Sequence, residues 1–151
     1  MGIPTVPNEP DLLLRTLAEF RFELRCFLHF SETAALGAGL QPQQHQLLLQ
    51  VAGAPEGISV TVAYAAERLG LKHNSAVELV DRSEHEGLLA RTVDATDKRR
   101  AILQLTRKGK RILDKLACDH ARELNELGPR LAKTLKHIST YSLKSAQMEV
   151  Q

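Results

Sequence analysis

Between Thr61 and Leu105 the chain reads TVAYAAERLGLKHNSAVELVDRSEHEGLLARTVDATDKRRAILQL, and this stretch decides the fold. Thr61 is placed to cap a helix over Val62 to Leu69, in which Val62, Ala65, Ala66 and Leu69 make a small-residue face. Gly70 then ends that helix, because glycine enters the left-handed region without steric cost. A second helix opens at Asn74 or a near neighbour, carries Ala76, Val77, Leu79 and Val80, and stops at Gly87. Two short helices meeting at a glycine corner are the local form of a helix-turn-helix. Leu88 to Val93 and Arg100 to Leu105 follow as strand-like runs around the polar turn Asp94-Ala95-Thr96-Asp97-Lys98, which predicts a β-hairpin.

Working outward, Thr106 caps a long helix carrying Ile112, Leu113, Leu116, Leu124 and Leu127. Gly128-Pro129 separates it from a final helix with Leu131, Leu135 and Ile138. On the other side, Pro42 sits just inside a short, largely buried helix that runs to about Val51 and breaks over Gly53 to Gly57. From Asp11, Leu13, Leu17, Phe20, Leu24 and Phe27/Leu28 recur at helical spacing, predicting a long first helix that ends before Gly37. The leader with Pro4, Pro7 and Pro10 reads as a loose arm. Corner, second helix, charged hairpin and long helix, in that order, spell a winged helix-turn-helix. The fold expected is mainly α with a small β-hairpin wing, as one domain over 1–151. Within it 40–108 is expected as the winged helix-turn-helix lobe, flanked by terminal helices over 11–36 and 109–147.

Composition is that of an ordinary folded chain, 43% hydrophobic and 25% charged, so neither disorder nor a membrane protein is indicated. No apolar run approaches a membrane span and no basic-then-apolar leader is present, so the expected location is cytoplasmic. With no Trp and 4% aromatic residues there is little material for stacking single-stranded bases. The net charge of +2 is small, but Lys72 to Arg111 carries a surplus of +4 and leaves −2 to the rest. Lys98 to Arg111 holds seven basic residues and no acidic one, the footprint expected for a polyanion.

The major groove admits an α-helix, so Lys72, His73, Asn74, Ser75, Val77 and Glu78 at the start of the second corner helix are the candidate readers. Asn pairs bidentately with adenine, Ser donates or accepts, and a Val methyl meets the thymine methyl. Lys98, Arg99 and Arg100 at the hairpin tip have the reach and charge for the narrow minor groove. Asp94 and Asp97 are expected to aim those cations through charge-assisted hydrogen bonds. Arg82, Arg107, Lys108 and Lys110 are expected on phosphates.

Five blocks, in order, resemble the multiple antibiotic resistance regulator (MarR) family. They are Leu40-Gln41-Pro42-Gln43-Gln44-His45-Gln46-Leu47-Leu48, Ala65-Ala66-Glu67-Arg68-Leu69, Val80-Asp81-Arg82 with Glu84 and Gly87-Leu88, Asp94-Ala95-Thr96-Asp97-Lys98-Arg99-Arg100, and Leu105-Thr106-Arg107-Lys108-Gly109. The likeness covers roughly residues 11 to 147. It implies a homodimer joined through its terminal helices that binds pseudo-palindromic double-stranded operators and usually represses. It also implies release by small lipophilic or phenolic ligands, or oxidants, with His29, Phe30, Gln44 and His45 lining the pocket. Ser83 stands where the family usually has Leu, and Glu78 where it often has a basic or small residue.

Other chemistry finds few parts. Cys26 lies on the helix through which peroxide-sensing relatives act, but it sits between Arg25 and Phe27 with no resolving partner. It is expected as a packed or half-packed small side chain, and Cys118 likewise. Cys26 and His29 are one turn apart, yet a metal would need His45 and His120 or a carboxylate to converge, so no metal or cofactor is expected. There is no glycine-rich phosphate loop, GxSxG or HExxH, so no enzyme is expected. The alternative is a winged-helix module that binds a ligand or protein and has lost its operator.

Overall fold

The computed structural model describes residues 8–148, so the proline-rich leader reading at 1–7 lies outside the described residues. The elements are α1 (Glu9–Gly37), α2 (Pro42–Ala52), α3 (Val62–Leu69), α4 (His73–His85), β1 (Leu89–Val93), β2 (Ala101–Leu105) and α5 (Arg107–Met148). They divide into two compact units, one built from 31–119 and the other from the outer parts of α1 and α5.

The 31–119 unit holds the α2–α3–α4 corner and the hairpin. Thr61 caps α3 by accepting from the Tyr64 amide at 3.2 Å. Gly70 ends it at φ +64°, where a side chain would be strained. Helix α4 buries Ala76, Leu79, Val80 and Ser83, and of these Leu79 and Val80 join the core cluster with Leu47 and Leu48 of α2, Leu88, Leu89, Leu103, and Leu113 and Leu116 of α5. Ser83 is fully buried, and its hydroxyl donates to the Leu79 carbonyl at 2.8 Å. A polar side chain at this apolar contact is therefore satisfied within its own helix. The hairpin is antiparallel, in register from Leu89↔Leu105 to Val93↔Ala101. Leu103 N also donates to Val60 O at 2.7 Å, tying the segment before α3 to β2.

In the other unit, α1 turns Thr16, Glu23 and Leu24 inward while Leu12, Leu14, Phe22 and Leu28 are more than half exposed. Glu23 is buried with Arg130 at 3.2 Å, and the Phe27 and Phe30 rings meet His120 edge-on at 5.9 and 5.3 Å. Leu127 is buried.

Three expectations are corrected. The final two helices are one, α5, a 42-residue helix with Pro129 inside it. Pro129 removes one backbone hydrogen bond, and good helix formers on both sides (Glu126, Leu127, Arg130, Leu131, Ala132) carry the helix through. Helix α1 runs through Gly37 rather than stopping short of it. Cys26 and Cys118 are both exposed, because the inward lane of α1 passes through Glu23, Leu24 and Phe27.

Candidate nucleic-acid interface

Helix α4 begins at His73 after the extended Lys72. At about 100° per residue, its buried positions 76, 79, 80 and 83 leave a solvent ridge through Asn74, Glu78 and Arg82. Lys72, His73 and Ser75 are also exposed, and Val77 is half-buried at the edge of the face. The six predicted residues of α4, and Lys72 just before it, thus lie on or beside the exposed side of the helix.

Two carboxylates on α4 are committed elsewhere. Arg91, on β1, forms ion pairs with both Asp81 and Glu84, and its backbone amide donates to Glu84 Oε1 at 3.1 Å. Burial works against the Arg91 charge, but the two carboxylates outweigh it and hold its pKa above the ordinary value. This clamp fixes the hairpin to α4. Sequence reading missed it, although paired acids three residues apart on α4 and a lone arginine at the start of the hairpin were the signal.

At the wing, Asp94 Oδ1 accepts from the Thr96 amide and hydroxyl, both at 2.8 Å, and Arg100 Nε lies 4.0 Å from Asp94 Oδ2. Asp97 Oδ1 accepts from the Arg99 amide at 3.1 Å and from Arg99 Nε at 3.2 Å. The rest of the Arg99 side chain stands in solvent, 91% exposed, beside exposed Lys98. Both aspartates therefore brace the turn from which the cations project.

The hydrogen bonds from Thr96, amide first and then hydroxyl, hold the Asp94 pKa below its ordinary value. A carboxyl depressed in the folded state contributes stability fully above its unfolded pKa and loses it as pH falls through the depressed folded one. Protection of the Thr96 amide from hydrogen exchange is expected to fall only below the ordinary carboxylate range. In Asp94→Asn that acid transition should vanish. A Thr96 amide that loses protection at neutral pH would contradict this account.

Arg107 is exposed at the first turn of α5. Two further cations expected on phosphates, both exposed, also have partners within the protein. Lys108 Nζ donates to Glu86 O at 2.8 Å, satisfying a carbonyl at the end of α4, and Lys110 pairs with Asp114 one turn along α5.

The four ligand-pocket candidates fall in different units. His29 is exposed, and half-buried Phe30 packs on His120. In the 31–119 unit His45 is buried. Gln44 is also buried there: its Oε1 accepts from the Gln41 amide at 2.9 Å and its Nε2 donates to Glu86 at 3.0 Å. Among the described residues no three His, Cys, Asp or Glu side chains gather as a metal site would require. No described helix is long and apolar enough to cross a membrane.

The model of the MarR family matches residues 38–100, the α2-to-wing segment. Among solved structures, AbsC, a MarR family transcriptional regulator from Streptomyces coelicolor, shares the fold with a TM-score of 0.66 at 17% identity, over 99% of this chain and 100% of that one. MepR of S. aureus in complex with DNA gives 0.66 at 17% identity, over 87% and 94% of the two chains. CouR of Rhodococcus jostii, bound to p-coumaroyl-CoA, gives 0.62 at 24% identity, over 80% and 83%. No curated protein sequence matches the chain.

Proposed function

We propose that this chain, whose residues 38–100 match the model of the MarR family, is a cytosolic, homodimeric transcriptional regulator of that family that binds a pseudo-palindromic operator and represses until a small ligand releases it. Solved structures that share its fold are of MarR family transcription regulators. The observation that carries the reading lies in the 31–119 unit, where the Asn74–Glu78–Arg82 ridge and the braced wing are both exposed and the hairpin is tied to α4 through Arg91.

In this reading Lys72, His73, Asn74, Ser75, Val77 and Glu78 meet base edges in the major groove. Lys98, Arg99 and Arg100 reach the minor groove, and Arg82 and Arg107 hold phosphates. Exposed Leu12, Leu14, Phe22 and Leu28 on α1, with Leu124 and Leu135 on α5, support pairing of two copies, since a monomer would leave these apolar groups in water. Two copies place two reading helices to meet grooves about one turn apart, roughly 34 Å. The effector class is small and lipophilic or phenolic, and the p-coumaroyl-CoA on CouR is in keeping with it. A ligand of that class releases DNA by favouring a state in which the helices no longer match the operator, and only as far as its affinities for the two states differ.

Fluorescence anisotropy on duplex DNA from the chain's own upstream region, beside a scrambled duplex and at two salt concentrations, tests this. Tight, salt-steep and selective binding is expected. Equal weak binding to both duplexes would favour a module that has lost its operator.

A further inference from the structure

The ridge of α4 contains a feature at odds with simple attraction to a polyanion. Glu78 lies at its centre, one turn from Asn74 and one from Arg82, and is exposed. The other carboxylates nearby, Asp81 and Glu84, are both paired with Arg91, whereas Glu78 enters no ion pair among the described residues. When α4 enters a groove, this carboxylate loses water and faces base edges. It is tolerated there only if it finds a donor.

The major groove offers two base donors, cytosine N4 and adenine N6. Beside adenine N6 lies the N7 acceptor, which repels a carboxylate, while beside cytosine N4 lies a nonpolar C5–H. We propose that Glu78 is a specificity-determining residue that selects a cytosine in each half-site by accepting from its N4 amino group. Four residues of helix rise about 6 Å, close to two base-pair steps, so the cytosine falls about two steps from the base read by Asn74. Glu78 acts here less by adding affinity than by excluding sites with only acceptors at that position.

The proposal rests on the DNA-binding reading above, and the experiment separates the two. Full-length wild type, Glu78→Gln and Glu78→Ala are each taken through selection from a randomised duplex pool, followed by titration of the selected duplexes. Glutamine keeps the size and adds a donor, so it pairs bidentately with adenine N6 and N7. Wild type is expected to enrich a cytosine that Glu78→Gln replaces by adenine, with at least about tenfold discrimination at that position in each case. Glu78→Ala should lose the preference there and bind unrelated duplexes more tightly, because a negative charge has left the interface. The same selected sequence from all three proteins would overturn the assignment while leaving the regulator reading intact. Absence of any selective binding, in wild type as in the variants, would overturn both.

Discussion

Gly109→Ala is expected to cost about 3 kcal/mol or more of folding stability, enough to unfold much of the protein at moderate temperature. Gly109 is the third residue of α5 and is buried. A Cβ built there lies 1.9 Å from the Leu88 carbonyl oxygen and 2.9 Å from its carbon, so the collision is with backbone and no rotamer relieves it. Nor is the neighbouring backbone free to retreat. Thr106 N donates to Leu88 O at 3.1 Å, and the Thr106 hydroxyl donates to Gly87 O at 2.6 Å while accepting from the Gly109 amide at 3.1 Å. Leu88 itself is fully buried in the core beside Leu113 and Leu116. Relief of the clash must therefore pull the start of α5 away from the α4–β1 junction, opening the core and breaking the Thr106 bonds together. Urea titration by circular dichroism checks the size of the effect. As a control, alanine at Gly128, where an added Cβ meets nothing within 4 Å, should leave the midpoint unchanged or raise it slightly. A Gly109→Ala midpoint equal to wild type would mean that the α5 start is not held against Leu88.

The close approach at Gly109 is the kind of feature a sequence conceals, because it lies between segments some twenty residues apart. What was legible was local. Thr61, Gly70 and Thr106 mark helix boundaries by chemistry that acts within four residues, and the alternation around Asp94 to Lys98 marks a hairpin in the same way. These signals located the corner and the wing. Apolar periodicity was a poorer guide to α1, since Thr16 and Glu23 turn inward while Leu12, Leu14 and Phe22 stay exposed. A helix with apolar groups on more than one side gives no single period, and Glu23 tolerates burial through Arg130 on α5. The use of charge was equally hidden. Arg91 and Lys108 look alike in sequence to Arg99 and Arg107, and only partners distant along the chain show that Arg91 holds the hairpin to α4 and that Lys108 serves a carbonyl at the end of α4. Pro129 misled because its helix-breaking tendency is real but bounded, and a long helix with strong formers on either side absorbs it.

That sorting of cations sets the second large effect, on DNA binding. The double variant Lys98→Ala/Arg99→Ala is expected to weaken operator binding about 10²–10³-fold near physiological salt, with the salt slope shallower by about 3 to 4. Each subunit loses two exposed charges, so the proposed homodimer loses four, and each cation set between the phosphates that flank the minor groove releases close to one counterion. Folding should be barely touched. Lys98 is exposed, and the Arg99–Asp97 pair joins a side chain that is 91% exposed, an arrangement of little worth to stability. The brace beneath, Asp94 with Thr96, remains in place. Lys108→Ala supplies the contrast: its ammonium serves the Glu86 carbonyl, so it should lower stability modestly by loosening the end of α4 and leave the salt slope nearly unchanged. Anisotropy titrations from low to moderate salt, run beside thermal melts, separate the two behaviours. If the double variant kept both its affinity and its slope, the wing would have no part in the interface, and the reading helix with Arg107 would have to carry the attraction alone.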